Sequence, residues 1–322
     1  MKHCLIIGAG ISGLMAARTL SETGINVTVL EKSRGVGGRM ATRRFKGGIF
    51  DHGAQYITVR SDIFRAQIDI LQKAGVVREW FTGAPPEKSE GFTHYIGSSG
   101  MAGIAKYLSR DLDLRLGERA LFLSLKHHKW QILTDKENSY ETDAIILTPP
   151  VPQSLALIRT AGLERQEIIE HELHSIQYDR CLAMLVTMNS ENILESPGGL
   201  RLSGEPLIWI ADNRMKGISP RRTAVTIHAG PEFSRKYWEM DDKWIAQNIL
   251  YTAAGWLAGK YGDSQVKRWL YSQPRIVYDD RFYAVPEPAP LVFAGDAFAG
   301  PQIEGAALSG ISAARFLNQY YR

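Results

Sequence analysis

The segment from Lys2 to Arg39 constrains the fold more than any other part of this chain. A short apolar run, a glycine triad, a small-residue stretch and a second apolar run follow one another there without a gap. Cys4 to Ile7 suits a buried parallel strand, and Gly8, Gly10 and Gly13 supply G-x-G-x-x-G where that strand would turn into a helix. Gly8 permits the tight turn and Gly10 leaves the backbone open to a diphosphate. Gly13 lets the helix, which carries Ala16 and Ala17, come close to the sheet. Ile11 and Ser12 fall in the first turn, whose unpaired N–H groups and dipole favour anions. A second strand over Asn26 to Leu30 ends at Glu31, about 20 residues beyond the glycines, with Lys32 beside it. A carboxylate there can accept hydrogen bonds from ribose hydroxyls and disfavours a 2′-phosphate. Glycine triads alone occur in many loops, but this order of elements predicts a dinucleotide-binding α/β unit.

The chain has 322 residues, enough for two domains. Its formal net charge of +4 is dispersed, with no block of like charge, so nucleic-acid binding is not indicated. The local excess of basic residues over positions 32–46 is what an anionic cofactor would attract. Cys4 and Cys181 are the only cysteines and both lie in apolar runs, which argues for buried thiols and against a disulfide or metal framework. That usage suits a reducing cytoplasm. Lys2 before Leu5-Ile6-Ile7 imitates the start of a signal peptide, but Gly8 breaks the apolar run too early. No stretch approaches the roughly 18 apolar residues of a spanning helix. A monomer is expected.

Further along, positions 62–75 read as an amphipathic helix ending at Gly75. Positions 76–98 read as strand and loop with Trp80, Phe81 and Pro85-Pro86, and a helix opens at Gly100-Met101 and runs to about Arg110. Alternation over 119–125, 129–134 and 140–148 suggests a three-stranded antiparallel excursion that returns to the main sheet at Thr148-Pro149-Pro150. Long alternating strands follow at Cys181–Met188, Pro206–Ala211 and Ala224–Gly230, then a helix over Asp241 to Ala258 with Trp244 and Trp256. The expected architecture is α/β with an α+β second domain: a Rossmann-like FAD-binding domain over 1–61, 98–155 and 276–322, and an antiparallel-sheet substrate domain over 62–97 and 156–275.

The choice of FAD rests on three further motifs. Gly35, Gly37, Gly38 and Arg39 follow Glu31 at once and resemble the GGR signature of the monoamine-oxidase-like flavoproteins. The segment Asp51-His52-Gly53-Ala54-Gln55-Tyr56 resembles the D-x-G-A-Q-Y/F stretch of the same family. The run Leu291 to Asp296, followed by Gln302-Ile303-Glu304-Gly305, resembles its C-terminal GD signature. The resemblance implies that Arg39 steadies the FAD diphosphate and that Gln55, Tyr56 and Ile57 lie near the flavin ring. It also implies that Pro149 lies towards the adenosine and that Asp296 bonds the ribityl chain or diphosphate. The helix starting near Ile303, with Glu304 and Gly305, would aim its N-terminus at flavin N1 and O2, where a reduced flavin carries negative charge. A plain N-cap role is the alternative for Asp296. No cysteine stands near 296–310, so FAD is expected to be non-covalent.

Hydride transfer asks mainly for a flat apolar slot that positions a donor and excludes water. Candidate walls are Trp209, His228, Phe233, Tyr237, Trp269 and Tyr271, each of which could equally be core. Motifs spread over nearly the whole chain, including Asn213-Arg214-Met215-Lys216, Ile227-His228-Ala229 and Arg268-Trp269-Leu270-Tyr271, resemble the bacterial renalases within that superfamily. Such a likeness implies an FAD-dependent oxidase of 2- and 6-dihydro isomers of NAD(P)H, with hydride passing to flavin N5 and oxygen becoming peroxide. It places His228, Trp269, Gln302, Tyr56 and Trp209 as catalytic candidates. Gln302 departs both from the tyrosine of amine oxidases and from the arginine common in renalase-like chains, which leaves substrate preference open. An amine oxidase or desaturase, and a redox-silent flavin-binding sensor, are the alternatives.

Overall fold

The structure is a computed structural model that describes residues 1–83, 91–189, 194–257, 259–298 and 300–322. The Pro85-Pro86 loop and Ala258 lie outside the described residues. Contacts divide the chain into two compact units, the first made of 1–38, 105–177 and 273–322 and the second of 39–104 and 178–272.

In the first unit a six-stranded sheet runs in the order Tyr283–Val285, Leu291–Phe293, Ala144–Leu147, His3–Ile7, Asn26–Glu31, Asp113–Leu116. Only the Tyr283–Val285 edge strand is antiparallel; the other neighbours pair in parallel. His3–Ile7 and Ala144–Leu147 are buried nearly throughout, which is why they read as unbroken apolar runs. The helix Ile11–Ser21 packs along the closing helix Ile303–Tyr320. Their crossing depends on small residues: a Cβ on Gly310 would overlap the carbonyl oxygen of Ser12. The antiparallel excursion is present as Ala120–Lys126, Lys129–Thr134 and Ser139–Thr142.

In the second unit a five-stranded antiparallel sheet takes the order Gly199–Arg201, Leu207–Asp212, Ala224–Ala229, Gln177–Met188, Tyr261–Ile276. Its core is the apolar cluster of Leu182, Met184, Val186, Ile210, Val225 and Ile227 packed against Ile245 and Ile249 of the helix Asp242–Ala253. That helix stops before Trp256, which is 41% exposed. A small sheet orders Ile57–Thr58, Thr93–Gly97 and Val77–Thr82, and a hairpin pairs Thr42–Phe45 with Gly48–Asp51. The helix Asp62–Lys73 is capped by the Ser61 hydroxyl at Phe64 N–H and buries Phe64, Ile68 and Leu71, the stripe expected at i, i+4, i+7. Ala74 closes it and Gly75 follows at φ +68°.

The unit boundaries differ from the expected domain limits at 98–104, which clusters with the second unit, at 273–275, which clusters with the first, and over two longer stretches. The stretch 39–61 clusters with the second unit, because Asp51 accepts from Thr226 at its carbonyl and bonds Asn213 through its N–H. The stretch 156–177 clusters with the first unit, where the Thr160 hydroxyl accepts from Leu123 N–H.

Candidate functional site

In the first unit the three glycines of the triad have different surroundings. Gly8 sits at φ +105°, donates its N–H to Leu30 O at 2.8 Å, and has Thr148 where a side chain would go. A Cβ on Gly13 would overlap the Gly8 carbonyl oxygen. Gly10 is different: a Cβ there meets no protein atom within 4 Å. It is the N-cap of the helix Ile11–Ser21 and lends no side chain to the helix end. The Ser12 hydroxyl in that first turn is buried and has no hydrogen-bond partner among the described residues. An open concavity lined by helix N–H groups and an orphan hydroxyl fits a diphosphate.

Glu31 is buried, and its carboxylate accepts from Ala9 N–H at 2.9 Å and from Ser33 N–H at 2.7 Å. The acid therefore organises both glycine loops, and Gly37 N–H closes on Ala9 O at 2.8 Å. Lys32 reaches Gln153 at 2.9 Å, and Pro149 accepts from the Ser154 hydroxyl at 3.1 Å. At the C-terminal end Gly295 N–H is held by the Ser309 hydroxyl at 2.8 Å. Asp296 is buried but is not the helix cap; that position is Gln302, with Glu304 buried in the first turn. Gly305 lies against Gly300 so closely that a Cβ would overlap its carbonyl. The two glycine-bearing helices, Ile11–Ser21 and Ile303–Tyr320, thus lack a capping side chain at the N-terminus, as a helix end that serves a ligand would.

The second unit gathers the aromatic candidates around one loop. Gly53 is obligatory because a Cβ would overlap Arg39 O, and Ala54 N–H bonds that same oxygen at 2.8 Å. Arg39 itself donates to Tyr271 O and Ser272 O, each at 3.3 Å, and lies over the Tyr178 ring. The carbonyl of Asp51 accepts from Gln55 Nε2 at 2.7 Å and from Thr226 at 2.9 Å. The carbonyl of His52 accepts from Trp269 Nε1 at 2.8 Å and from His228 Nε2 at 3.2 Å. The His52 ring stacks on Trp269 with centroids 5.1 Å apart.

His228 is the cross-strand partner of Trp209. Trp209 continues the aromatic run to Tyr56 at 5.5 Å, and Tyr56 meets His94 at 4.6 Å and Trp80 at 6.2 Å. Ile57, next in the chain, is buried in register with Tyr95. Phe233 and Tyr237 do not join this group: they stack with each other and with Trp244, and Phe233 and Trp244 pack on the sheet core.

Beneath the loop lies a fully buried ion pair. Lys216 Nζ stands 3.2 Å from Asp51 Oδ2, donates to Gln55 O at 2.9 Å, and sits 5.1 Å from the centre of the Trp80 ring. Arg78 bonds the Lys216 carbonyl. Burial lowers the Lys216 pKa while Asp51 opposes that shift. His52 is pushed down to about 4 by burial, helped by Lys267 and Arg43. His228 is pushed down to about 4 by burial as well. Both imidazoles are neutral at physiological pH.

Sequence reasoning named His228, Trp269, Tyr56 and Trp209 but missed His52 and Lys216 as organising residues. His52 stood inside a quoted motif, so a signal existed. Lys216 likewise closed the Asn213-Arg214-Met215-Lys216 motif, but a lysine there gives no sign in the sequence that it is fully buried against Asp51.

Comparison with known proteins agrees with this geometry. Residues 6–71 match the NAD(P)-binding Rossmann-like domain, and residues 86–318 match the family described as flavin containing amine oxidoreductase. Renalase of Mus musculus is 24% identical over 99% of this chain and 100% of that protein. An L-amino-acid oxidase of Siganus canaliculatus is 43% identical, but only over 20% of this chain and 12% of that one. Cyclohexylamine oxidase from Brevibacterium oxydans has the same fold at TM-score 0.75 and 12% identity, covering 100% of both chains. Wild-type putrescine oxidase bound to putrescine gives TM-score 0.73 at 15% identity and 99% coverage of each chain. Among the described residues no helix is long and apolar enough to cross a membrane. The matched profile spans well over half of the sequence, and the chain belongs to the flavin-containing amine oxidoreductases, enzymes that work with a flavin.

Proposed function

We propose that this protein holds FAD non-covalently and oxidises a small dihydronicotinamide, a 2- or 6-dihydro isomer of NAD(P)H, to NAD(P)+, acting as a cytoplasmic monomer. Gly8, Gly10, Ile11, Ser12, Gly13, Glu31, Lys32, Gly38, Arg39, Pro149, Asp296, Ile303, Glu304 and Gly305 would hold the cofactor, with Gln55, Tyr56 and Ile57 towards the flavin ring. When bound, the flavin accepts an electron pair, and oxygen is the acceptor that then becomes hydrogen peroxide.

The observation that carries the substrate reading is the chemistry of the aromatic wall. Tyr56, Trp80 and Trp209 form one group of contacting rings, and Trp269 stacked with His52 forms another. The titratable groups among them are poor bases: His52 and His228 have pKa values near 4, and Lys216 is committed to Asp51. An amine is protonated at neutral pH and must shed a proton before it can lose hydride. An N-alkylated dihydropyridine loses hydride directly and becomes an aromatic cation, so it needs positioning and no base. Gln302 in place of a cage tyrosine supports the same preference, because an aromatic cage serves a cationic nitrogen.

Anaerobic rapid mixing with 6-dihydroNAD should bleach the flavin within one turnover, and re-aeration should release peroxide. Bleaching by putrescine or cyclohexylamine, with no response to either dihydronicotinamide isomer, would overturn this reading in favour of amine oxidation. A flavin that no donor reduces would mean a redox-silent protein.

A further inference from the structure

Among the described residues three polar atoms of the aromatic wall lack partners, His52 Nδ1, His228 Nδ1 and Trp209 Nε1, and the last two are cross-strand neighbours of complementary kind. A carbonyl oxygen can only accept, so the contact of His228 Nε2 with His52 O fixes the proton on Nε2. Trp269 Nε1 donates to the same oxygen, which ties the carbonyl in place and with it the tautomer. The other ring nitrogen, Nδ1, is left as a bare in-plane lone pair with no partner among the described residues, on a half-buried side chain. The groups around His228 are the His52 ring, the Lys216 ammonium and Trp209, and none supplies a proton to Nδ1. Beside it, Trp209 is 5% exposed and its indole Nε1–H has no acceptor. A buried donor without a partner costs free energy that a ligand oxygen would recover.

The two residues are direct partners across adjacent strands, so their side chains leave the sheet on one face about 5 Å apart at Cβ. One presents an acceptor and its neighbour a donor. A primary carboxamide has the matching pair, an N–H donor and a carbonyl acceptor on one carbon. A carboxylate has no donor and would set a lone pair and a negative charge against the Nδ1 lone pair.

We propose that His228 Nδ1 and Trp209 Nε1 form a carboxamide clamp, which makes the protein selective for nicotinamide-type donors over the corresponding nicotinic acid derivatives. This rests on the dihydronicotinamide reading above and adds to it the group by which the ring is recognised and oriented.

The test compares 6-dihydroNAD with its deamidated counterpart, the 6-dihydro form of nicotinic acid adenine dinucleotide, in flavin reduction by the holoenzyme. Binding of oxidised nicotinamide mononucleotide and nicotinic acid mononucleotide, read from the flavin absorption band, is measured alongside. The amide should be preferred at least about 50-fold in kcat/KM, as expected when a site leaves a buried polar group unmatched by the wrong ligand. His228→Ala and Trp209→Phe should each reduce that ratio below about fivefold while the flavin stays bound. In 15N-labelled protein the His228 Nδ1 resonance should move on adding nicotinamide mononucleotide and stay in place with the acid. Equal use of amide and acid by the wild type, or undiminished preference in both variants, would overturn the clamp while leaving dihydronicotinamide oxidation standing. If 6-dihydroNAD fails to reduce the flavin yet the amide mononucleotide binds in preference to the acid, the clamp stands and the proposed reaction falls. Binding with no amide preference in that case would remove both.

Discussion

The glycine cradle of the first unit and the aromatic wall of the second are built by opposite means. The cradle is made of backbone: its residues lie within a few positions of one another, and what matters is the absence of side chains at Gly8, Gly10 and Gly13. The wall is made of side chains drawn from positions 52, 56, 80, 209, 228 and 269: the His52 carbonyl accepts from His228 and Trp269, and Tyr56, Trp80 and Trp209 meet through their rings. Backbone requirements leave a local mark on a sequence. Convergent side chains do not.

Substitution at the glycines should break this contrast most sharply. Gly13→Val places atoms into the Gly8 carbonyl, which cannot retreat, and should cost more than about 3 kcal/mol, with little folded protein recovered. Gly10→Ala should leave the melting temperature within a few degrees, because its Cβ enters open space, yet strip most of the yellow colour on dialysis. Equal loss of fold from both would remove the distinction between scaffold glycine and cradle glycine.

In the wall the largest effect belongs to the buried ion pair. Lys216→Met leaves the Asp51 carboxylate buried without its counter-charge and should cost about 3–5 kcal/mol in urea unfolding. Adding Asp51→Asn should recover part of that loss. Additive costs in the double variant would show that the pair is not coupled.

Acid should act on the wall before the cradle. Both His52 and His228 have folded-state pKa values near 4, below the value of about 6.5 expected for an unfolded chain. Between those limits the unfolded chain binds more protons than the folded one, so stability is full above pH 6.5 and is lost as pH falls towards 4. The loss should reach roughly 3 kcal/mol per imidazole by pH 4, and tryptophan fluorescence should report it. A reduced slope in His228→Ala and in His52→Ala, and a flat profile in the double variant, would assign the effect; a flat wild type would refute it.

Smaller effects come from single contacts. Glu31→Gln removes a charged acceptor from Ala9 and Ser33 N–H groups and should weaken flavin retention by about 1–3 kcal/mol. Tyr56→Phe deletes only the bond from exposed Arg201 and keeps the ring, so stability should change by less than about 1 kcal/mol.

These differences also explain what the sequence disclosed. The parallel strands at His3–Ile7 and Asn26–Glu31 and the helix between them follow from apolar runs and glycine spacing. The excursion over Ala120–Thr142 follows from alternation, and the helix Asp62–Lys73 from its amphipathic pattern and the glycine after it. The attachment of 39–61 to the second unit was hidden, because it depends on Asp51 meeting Asn213, Lys216 and Thr226 from more than a hundred residues away. The same holds for Phe233 and Tyr237, which contact each other, with Phe233 packed on the sheet core. Only a tertiary contact tells core from wall.

The central proposal is an FAD held without a covalent bond. The direct measurement is the visible spectrum of the purified protein before and after acid precipitation, with mass spectrometry of the supernatant. A flavin band near 450 nm is expected of any flavoprotein, and all of it should pass to the supernatant as intact FAD. Colourless protein that takes up no added FAD, or colour that stays with the precipitate, would contradict the account.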